Sequence, residues 1–394
     1  MIQRFFQFIK KYYLLIIAGL IIGQVFIVGF RGINTPKDLH IDNIVLNNNL
    51  KNKIGQMVII GFRGIDAPED SYIANIIKEL KIGGVILFDY DVPSKSYPRN
   101  IINPGQTEKL ISDLKNYSTT PLFISVDAEG GIVNRLKPKY GFIPIMSAKE
   151  MGVGVGISTT IDEAKKLSLE LKELGFNMNF APVVDVDINP NNPVIGGLER
   201  SFSADYENVV EQAKAFIKEQ RENGIISVAK HFPGHGSSEN DSHLGLVDVT
   251  KTYKSEELIP YEELQKEGVL DVVMTAHIIN TDIDKDYPAT LSLNFLQNIL
   301  REKIGFEGVI VSDDMQMNAI ASNYGFDESI IRAINAGCDI LIISNNSTSV
   351  YDEQLPYKTI NIIYEAIKDG KISMEKINES YDRIMKLKEQ FNII

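Results

Sequence analysis

The sequence predicts an α/β protein: a (β/α)8 barrel forming one catalytic domain behind an N-terminal membrane-anchor helix. Three observations carry this. Eight short apolar runs alternate with longer amphipathic stretches, charged residues recur at the ends of the runs, and one uncharged segment of 19 residues stands at the front.

That segment, Tyr12 to Phe30, is flanked by Arg4, Lys10 and Lys11 before it and Arg31 after it. At 1.5 Å per helical residue it spans roughly 28 Å, the depth of one hydrocarbon core. It lacks the small-residue cleavage site of a signal peptide, and no cysteine follows it for a lipid anchor. Residues 1–30 therefore read as an uncleaved anchor in contact with the lipid bilayer. The basic front flank puts the N-terminus inside and the catalytic domain outside the cytoplasm. Residues 31–53, polar and Asn-rich, read as a tether, and 54–394 as the barrel domain.

The apolar runs are IGQMVIIGF from 54, GGVILF from 83, PLFISVD from 121, NMNFAPVVDV from 177, IISVAKHF from 225, DVVMTAH from 271, GVIVSDD from 308 and CDILIIS from 338. Continuous Val, Ile and Leu suit strands buried on both faces. Helical patterns such as SYIANIIKEL, TEKLISDLKNY and YENVVEQAKAFIKEQRENG separate them. Eight such units predict a closed barrel; a doubly wound open sheet fits the same alternation. After the eighth run come only two helical stretches, Tyr357 to Asp369 and Ser373 to Gln390.

Composition narrows the function. With 44% hydrophobic and 23% charged residues the chain is of ordinary globular make-up. It holds 52 acidic against 40 basic residues, a net charge of −12, which argues against a nucleic-acid partner. The single cysteine, Cys338, excludes an intramolecular disulfide and a cysteine-rich metal centre. It precedes an apolar run and reads as inert core.

Barrels gather their chemistry at the C-terminal ends of the strands. Here run three ends in Asp127 and leads into Glu129, run four in Asp185 and Asp187, with a long loop through Arg200. Run five ends in Lys230-His231, run six in His277, run seven in Asp313-Asp314. Lys230 to His243 reads KHFPGHGSSENDSH and holds three of the five histidines. A metal site on His231 and His235 would need a helix, which Pro233 and Gly234 break. An acid/base pair fits better. Asp241 and His243, two apart, share a face of an extended segment, and a carboxylate beside an imidazole favours its protonated form. Asp313 would project over the barrel mouth while Asp314 turns away. A carboxylate nucleophile with a proton donor is the equipment of a retaining glycosidase, here with an imidazole for the usual second carboxyl.

KHFPGHG-x4-DSH and SDDM-x-M resemble the family 3 glycoside hydrolases, in particular their bacterial β-N-acetylhexosaminidase branch. GGVILF, DAEGG, NFAPVVDVD, VMTAHI and AGCDILIISNN follow in the family's order, so the likeness covers residues 54 to 345. The resemblance implies that Asp313 is the nucleophile, His243 the acid and then the base, and Asp241 its partner. It further implies that Asp127, Arg135, Arg200, Lys230 and His231 hold sugar hydroxyls or the acetamido group. The substrate would be a glycan ending in β-linked N-acetylglucosamine, such as a peptidoglycan fragment, with no cofactor and no metal. The departures bear on pocket shape and aglycone: Ala128 and Ile132 stand where the family has Gln and Arg, and Ser237-Ser238 follow HG where the family has Asp-Thr. Three other readings share these residues: a phosphorylase using phosphate as acceptor, a non-catalytic sugar-binding barrel and a metal-dependent hydrolase. His277 reads as packing or support, and Asp185 and Asp187 as loop anchors.

Overall fold

The computed structural model describes residues 48–154, 156–241 and 245–394. Eight parallel strands close into a barrel in which each strand pairs with its neighbours in sequence and the first pairs with the last. They are β1 (Val58–Gly61), β2 (Gly84–Leu87), β3 (Phe123–Val126), β4 (Met178–Asn179), β5 (Ile226–Phe232), β6 (Val272–Thr275), β7 (Val309–Asp314) and β8 (Ile340–Ile343). The closing seam sets Val58 against Leu341 and Ile60 against Ile343. Every residue of β1, β2, β3, β6 and β8 is buried. An unbroken apolar run on such a strand meets the barrel interior on one face and a helix on the other. The open-sheet alternative is thereby removed.

Each predicted run holds its strand, but the fourth departs in form. Only two residues of NMNFAPVVDV ladder regularly with β3 and β5; beyond them the Ala181 N–H turns back to the Asn179 carbonyl at 2.8 Å, and Pro182 has no N–H to donate. The chain then rejoins β5 through a single bridge of Val183 with Lys230, and the Val184 N–H donates to the Lys230 carbonyl at 2.8 Å.

Four of the longer helices start at a side-chain cap. The longer helices are α1 (Asn48–Gln56), α2 (Tyr72–Leu80), α3 (Pro104–Asn116), α4 (Ser158–Leu174), α5 (Tyr206–Glu222), α6 (Ile259–Lys266), α7 (Asn294–Lys303, wound as a π-helix), α8 (Phe326–Ala336), α9 (Leu355–Lys368) and α10 (Met374–Gln390), with shorter ones at Ala148–Gly152 and Asn318–Tyr324. Ser71, Asn103, Asp205 and Ser373 each accept a backbone N–H of the first turn with their side chain, satisfying a donor the helix leaves open. Gly175, at φ 91°, ends α4 in a conformation that favours glycine.

Helix α1 begins inside the stretch assigned to the tether. Ile54 and Met57 are buried, and Lys53 donates to Asn378 of α10 at 2.6 Å, so the barrel domain draws in residues ahead of Ile54. Among the described residues no helix is long and apolar enough to cross a membrane; the run from Tyr12 to Phe30 lies outside them.

At the N-terminal end of the barrel, Lys388 of α10 is fully buried. Its ammonium donates to Gln56 Oε1 at 2.6 Å, the Pro121 carbonyl at 2.6 Å and the Gly83 carbonyl at 3.3 Å, and lies 4.6 Å from the Phe123 ring centre.

Candidate active site

At the opposite end a cavity of about 510 Å³ is lined by Asp127, Arg135, Arg200, Lys230, His231, Asp241 and Asp313. Seven of the eight residues expected to act on substrate thus line one cavity. The eighth, His243, lies outside the described residues. Phe88, Tyr90, Phe180, Val194 and Met317 supply apolar surface, and Ile132, 58% exposed, stands on the rim where the family resemblance leads one to expect an arginine.

One side of the cavity is a closed network of charges. Lys230, on β5, points its ammonium at Asp127 Oδ1 (2.9 Å) and Glu129 Oε1 (2.7 Å). Arg200 grips Glu129 with two bonds of 2.8 Å and donates to the Val194 carbonyl at 3.0 Å. Arg135 approaches Asp127 and Asp89 only to 4.0 Å. Burial alone would raise the carboxyl pKa values; Arg200 and Lys230 outweigh it and bring Glu129 down to about 2, while Lys230 and Arg135 hold Asp127 below its ordinary value. Burial pulls the Lys230 ammonium down, but Asp127 and Glu129 lift it above its ordinary value, so it stays charged.

Glu129 is the member sequence reasoning missed. It sits two residues beyond Asp127 in a short antiparallel ribbon, Ala128–Gly130 with Val133–Asn134. Residues two apart on a strand share a face, and that spacing in DAEGG was the available signal.

Asp185, expected to anchor loops, does so. It accepts the His231 ring Nδ1–H at 2.7 Å and the N–H groups of His231 (3.2 Å) and His235 (2.8 Å). Burial, Arg200 and Lys230 drive the His231 pKa far down, so the ring is neutral. With Nδ1–H given to Asp185, Nε2 is the acceptor facing Arg200 Nη2 at 3.2 Å. Asp187 does not line the cavity.

Across the mouth, β7 delivers Asp313. Its Oδ1 accepts the N–H of Asp314 at 2.7 Å. The Asp314 carboxyl is bound by the Ser344 hydroxyl (2.5 Å), the Ser344 N–H (3.1 Å) and the Gln316 N–H (3.2 Å). Desolvation pushes it up to about 6 against these bonds. His277 is fully buried; its Nε2 lies 2.9 Å from the Asp314 carbonyl oxygen and its Nδ1 2.8 Å from Thr290 Oγ1. It supports the backbone beside Asp313, as expected of a supporting residue. Cys338 is buried.

The model of the glycosyl hydrolase family 3 N-terminal domain matches residues 49–387. The chain belongs to glycosyl hydrolase family 3. A β-hexosaminidase of Tolumonas auensis is 38% identical over 268 residues, 67% of this chain and 76% of the relative. One of Haemophilus influenzae is 34% identical, over 68% of this chain and 74% of its own. Among solved structures, a family 3 β-N-acetylglucosaminidase from Paenibacillus superposes with a TM-score of 0.79 at 34% identity, over 87% of this chain and 63% of that one. A β-N-acetylhexosaminidase from Beutenbergia cavernae gives a TM-score of 0.73 at 26% identity, over 86% of this chain and 98% of that one.

Proposed function

We propose that this family 3 chain is a retaining, exo-acting β-N-acetylglucosaminidase that cleaves terminal β-linked N-acetylglucosamine from glycans, including peptidoglycan fragments. The observation that carries the reading is the position of Asp313: at the end of β7, on the wall of the cavity that Asp127, Glu129, Lys230 and Arg200 also line. The β-hexosaminidase relatives support the substrate class.

In this reading the ion-paired groups hold the hydroxyls and acetamido group of one terminal sugar. The Asp313 carboxylate attacks the anomeric carbon as the glycosidic bond breaks, giving a covalent glycosyl-enzyme. The His243 imidazolium gives its proton to the departing oxygen. The neutral ring then takes a proton from water, whose oxygen displaces Asp313, and the starting protonation states return. Asp241 stabilises the imidazolium. A group that transfers protons in this way typically contributes about 10²–10⁴-fold.

The test compares aryl β-glycosides with and without the 2-acetamido group. A higher kcat/KM for the N-acetylglucosaminide is expected, because a site built to hydrogen-bond a group rejects substrates that lack it. Equal or better turnover of the plain glucoside overturns the substrate assignment. A 2-deoxy-2-fluoro glycosyl donor should label the peptide carrying Asp313, and labelling elsewhere overturns the nucleophile. Residues 12–30, from their composition alone, are proposed to anchor the chain with the domain outside the cytoplasm. Protease added to spheroplasts should digest the domain; protection until lysis counts against the anchor.

A further inference from the structure

The segment that runs from Lys230 toward Asp241 makes its turn at residues 233–238, and two buried carboxylates grip that turn. Asp185 takes its first half through the N–H of His235. Glu257, which leads into α6, takes its second half: Oε2 accepts the N–H of Gly236 at 2.8 Å and of Ser237 at 3.2 Å. The fit is tight. Gly234 has φ 124°, and a Cβ there would sit 2.5 Å from Glu257 Cβ; a Cβ on Gly236 would sit 1.7 Å from the Val186 carbonyl oxygen. Asn189 donates to the Ser238 carbonyl at 2.9 Å, Asn192 to the His235 carbonyl at 2.7 Å, and the Tyr253 hydroxyl to that of Pro233 at 3.0 Å.

Glu257 is fully buried, makes no ion pair with Lys, Arg or His among the described residues, and does not line the cavity. Burying an unpaired carboxylate is costly. What the anion offers in return is charge-assisted hydrogen bonding to two successive amides, stronger than a neutral acceptor provides. Burial lifts its pKa to about 7 against those bonds. From Ser238, three residues lead to Asp241 on the cavity wall, so the place where the turn is pinned limits where that carboxylate, the partner proposed for the proton donor, can reach.

We propose that Glu257 is a positioning residue for proton transfer: by holding the amides of Gly236 and Ser237 it sets the reach of the segment that leads to Asp241 on the cavity wall. It touches no substrate. The inference rests on the acid/base role proposed above for that segment.

The experiment measures kcat/KM for the full chain and its Glu257→Gln and Glu257→Ala variants on a series of β-N-acetylglucosaminides, from a nitrophenyl leaving group to a disaccharide. This parameter reports the glycosylation step, in which only a poor leaving group needs the proton. Glu257→Ala should lose roughly 10–100-fold on the disaccharide, a part of the full general-acid contribution, and less than about 3-fold on the nitrophenyl substrate. Glu257→Gln, which keeps shape and one acceptor oxygen, should fall between. Labelling of Asp313 by an activated fluoro-sugar should proceed as in the parent. If either folded variant loses activity equally on every leaving group, Glu257 is merely structural and the proposal is overturned; unchanged activity on all of them overturns it as well. If the alanine variant does not fold, the isosteric glutamine variant decides by the same criterion. A parent chain inactive on every N-acetylglucosaminide refutes the functional reading itself, whereas an active parent with unselective variants refutes the role of Glu257 alone.

Discussion

Lys230 and Lys388 are both buried, at opposite ends of one barrel, and their surroundings are opposite. Lys230 lies between two carboxylates, 2.9 and 2.7 Å away, and its pKa is raised. Among the described residues Lys388 meets only neutral oxygens and an aromatic face, and burial lowers its pKa to about 7. Hydrogen-bond geometry is satisfied at both ends; charge is balanced at only one. A binding site for a polar substrate needs groups that stay ionised and fixed, and that takes compensating charge. The floor of the barrel needs only donors for strand-end carbonyls, which a lysine supplies whether or not it keeps its third proton.

The contrast is broken most severely at the mouth. Asp313→Asn should lower kcat on the order of 10³–10⁶-fold, the range for deleting a nucleophile, with the melting temperature little changed; near-parent turnover would remove Asp313 from the reaction. Next comes Lys230→Met, which strands Asp127 and Glu129. Breaking a buried pair in this way destabilises by about 3–5 kcal/mol, and kcat/KM should fall with it. Denaturant titration and kinetics on one preparation check both.

At the floor the effect is one of pH. Unfolded, Lys388 holds its proton up to about 10.5, whereas folded it releases it near 7. Between those values the unfolded chain binds more protons, so this group's contribution to stability rises as pH rises and is lost as pH falls toward 7. Unfolding free energies across that window should show a positive component that Lys388→Met removes. The smallest effect is on activity: Lys388→Met should leave kcat/KM within about 2-fold, as expected of a substitution far from the site. A larger loss would show that floor and mouth are coupled.

The eight strands were legible because burial on both faces writes itself as an uninterrupted apolar run, and most of the site because charges end those runs. What escaped was what depends on the fold. The fourth run lay in plain view, yet only two of its residues ladder regularly before the chain rejoins β5 through Val183. Glu129 went unassigned although it stood between Asp127 and Arg135, because its partners come from β5 and from the loop after β4. Glu257 lies in SEELIP, where it looks like any solvated acid of a helix start; its partners are backbone amides some 20 residues earlier, and no side-chain pattern announces an amide. Lys388, in KLKEQ, is hidden in the same way.

The floor also bears on how the protein is made. Its first described helix and its last are stapled by Lys388 to Gln56, 332 residues apart, and the barrel seam joins Val58 to Leu341. Neither contact can form until the late segments have left the ribosome. At about 5–20 residues per second that is roughly 15–70 s after β1 is synthesised, and through that interval one edge of β1 stands unpaired, the kind of edge on which nascent chains aggregate.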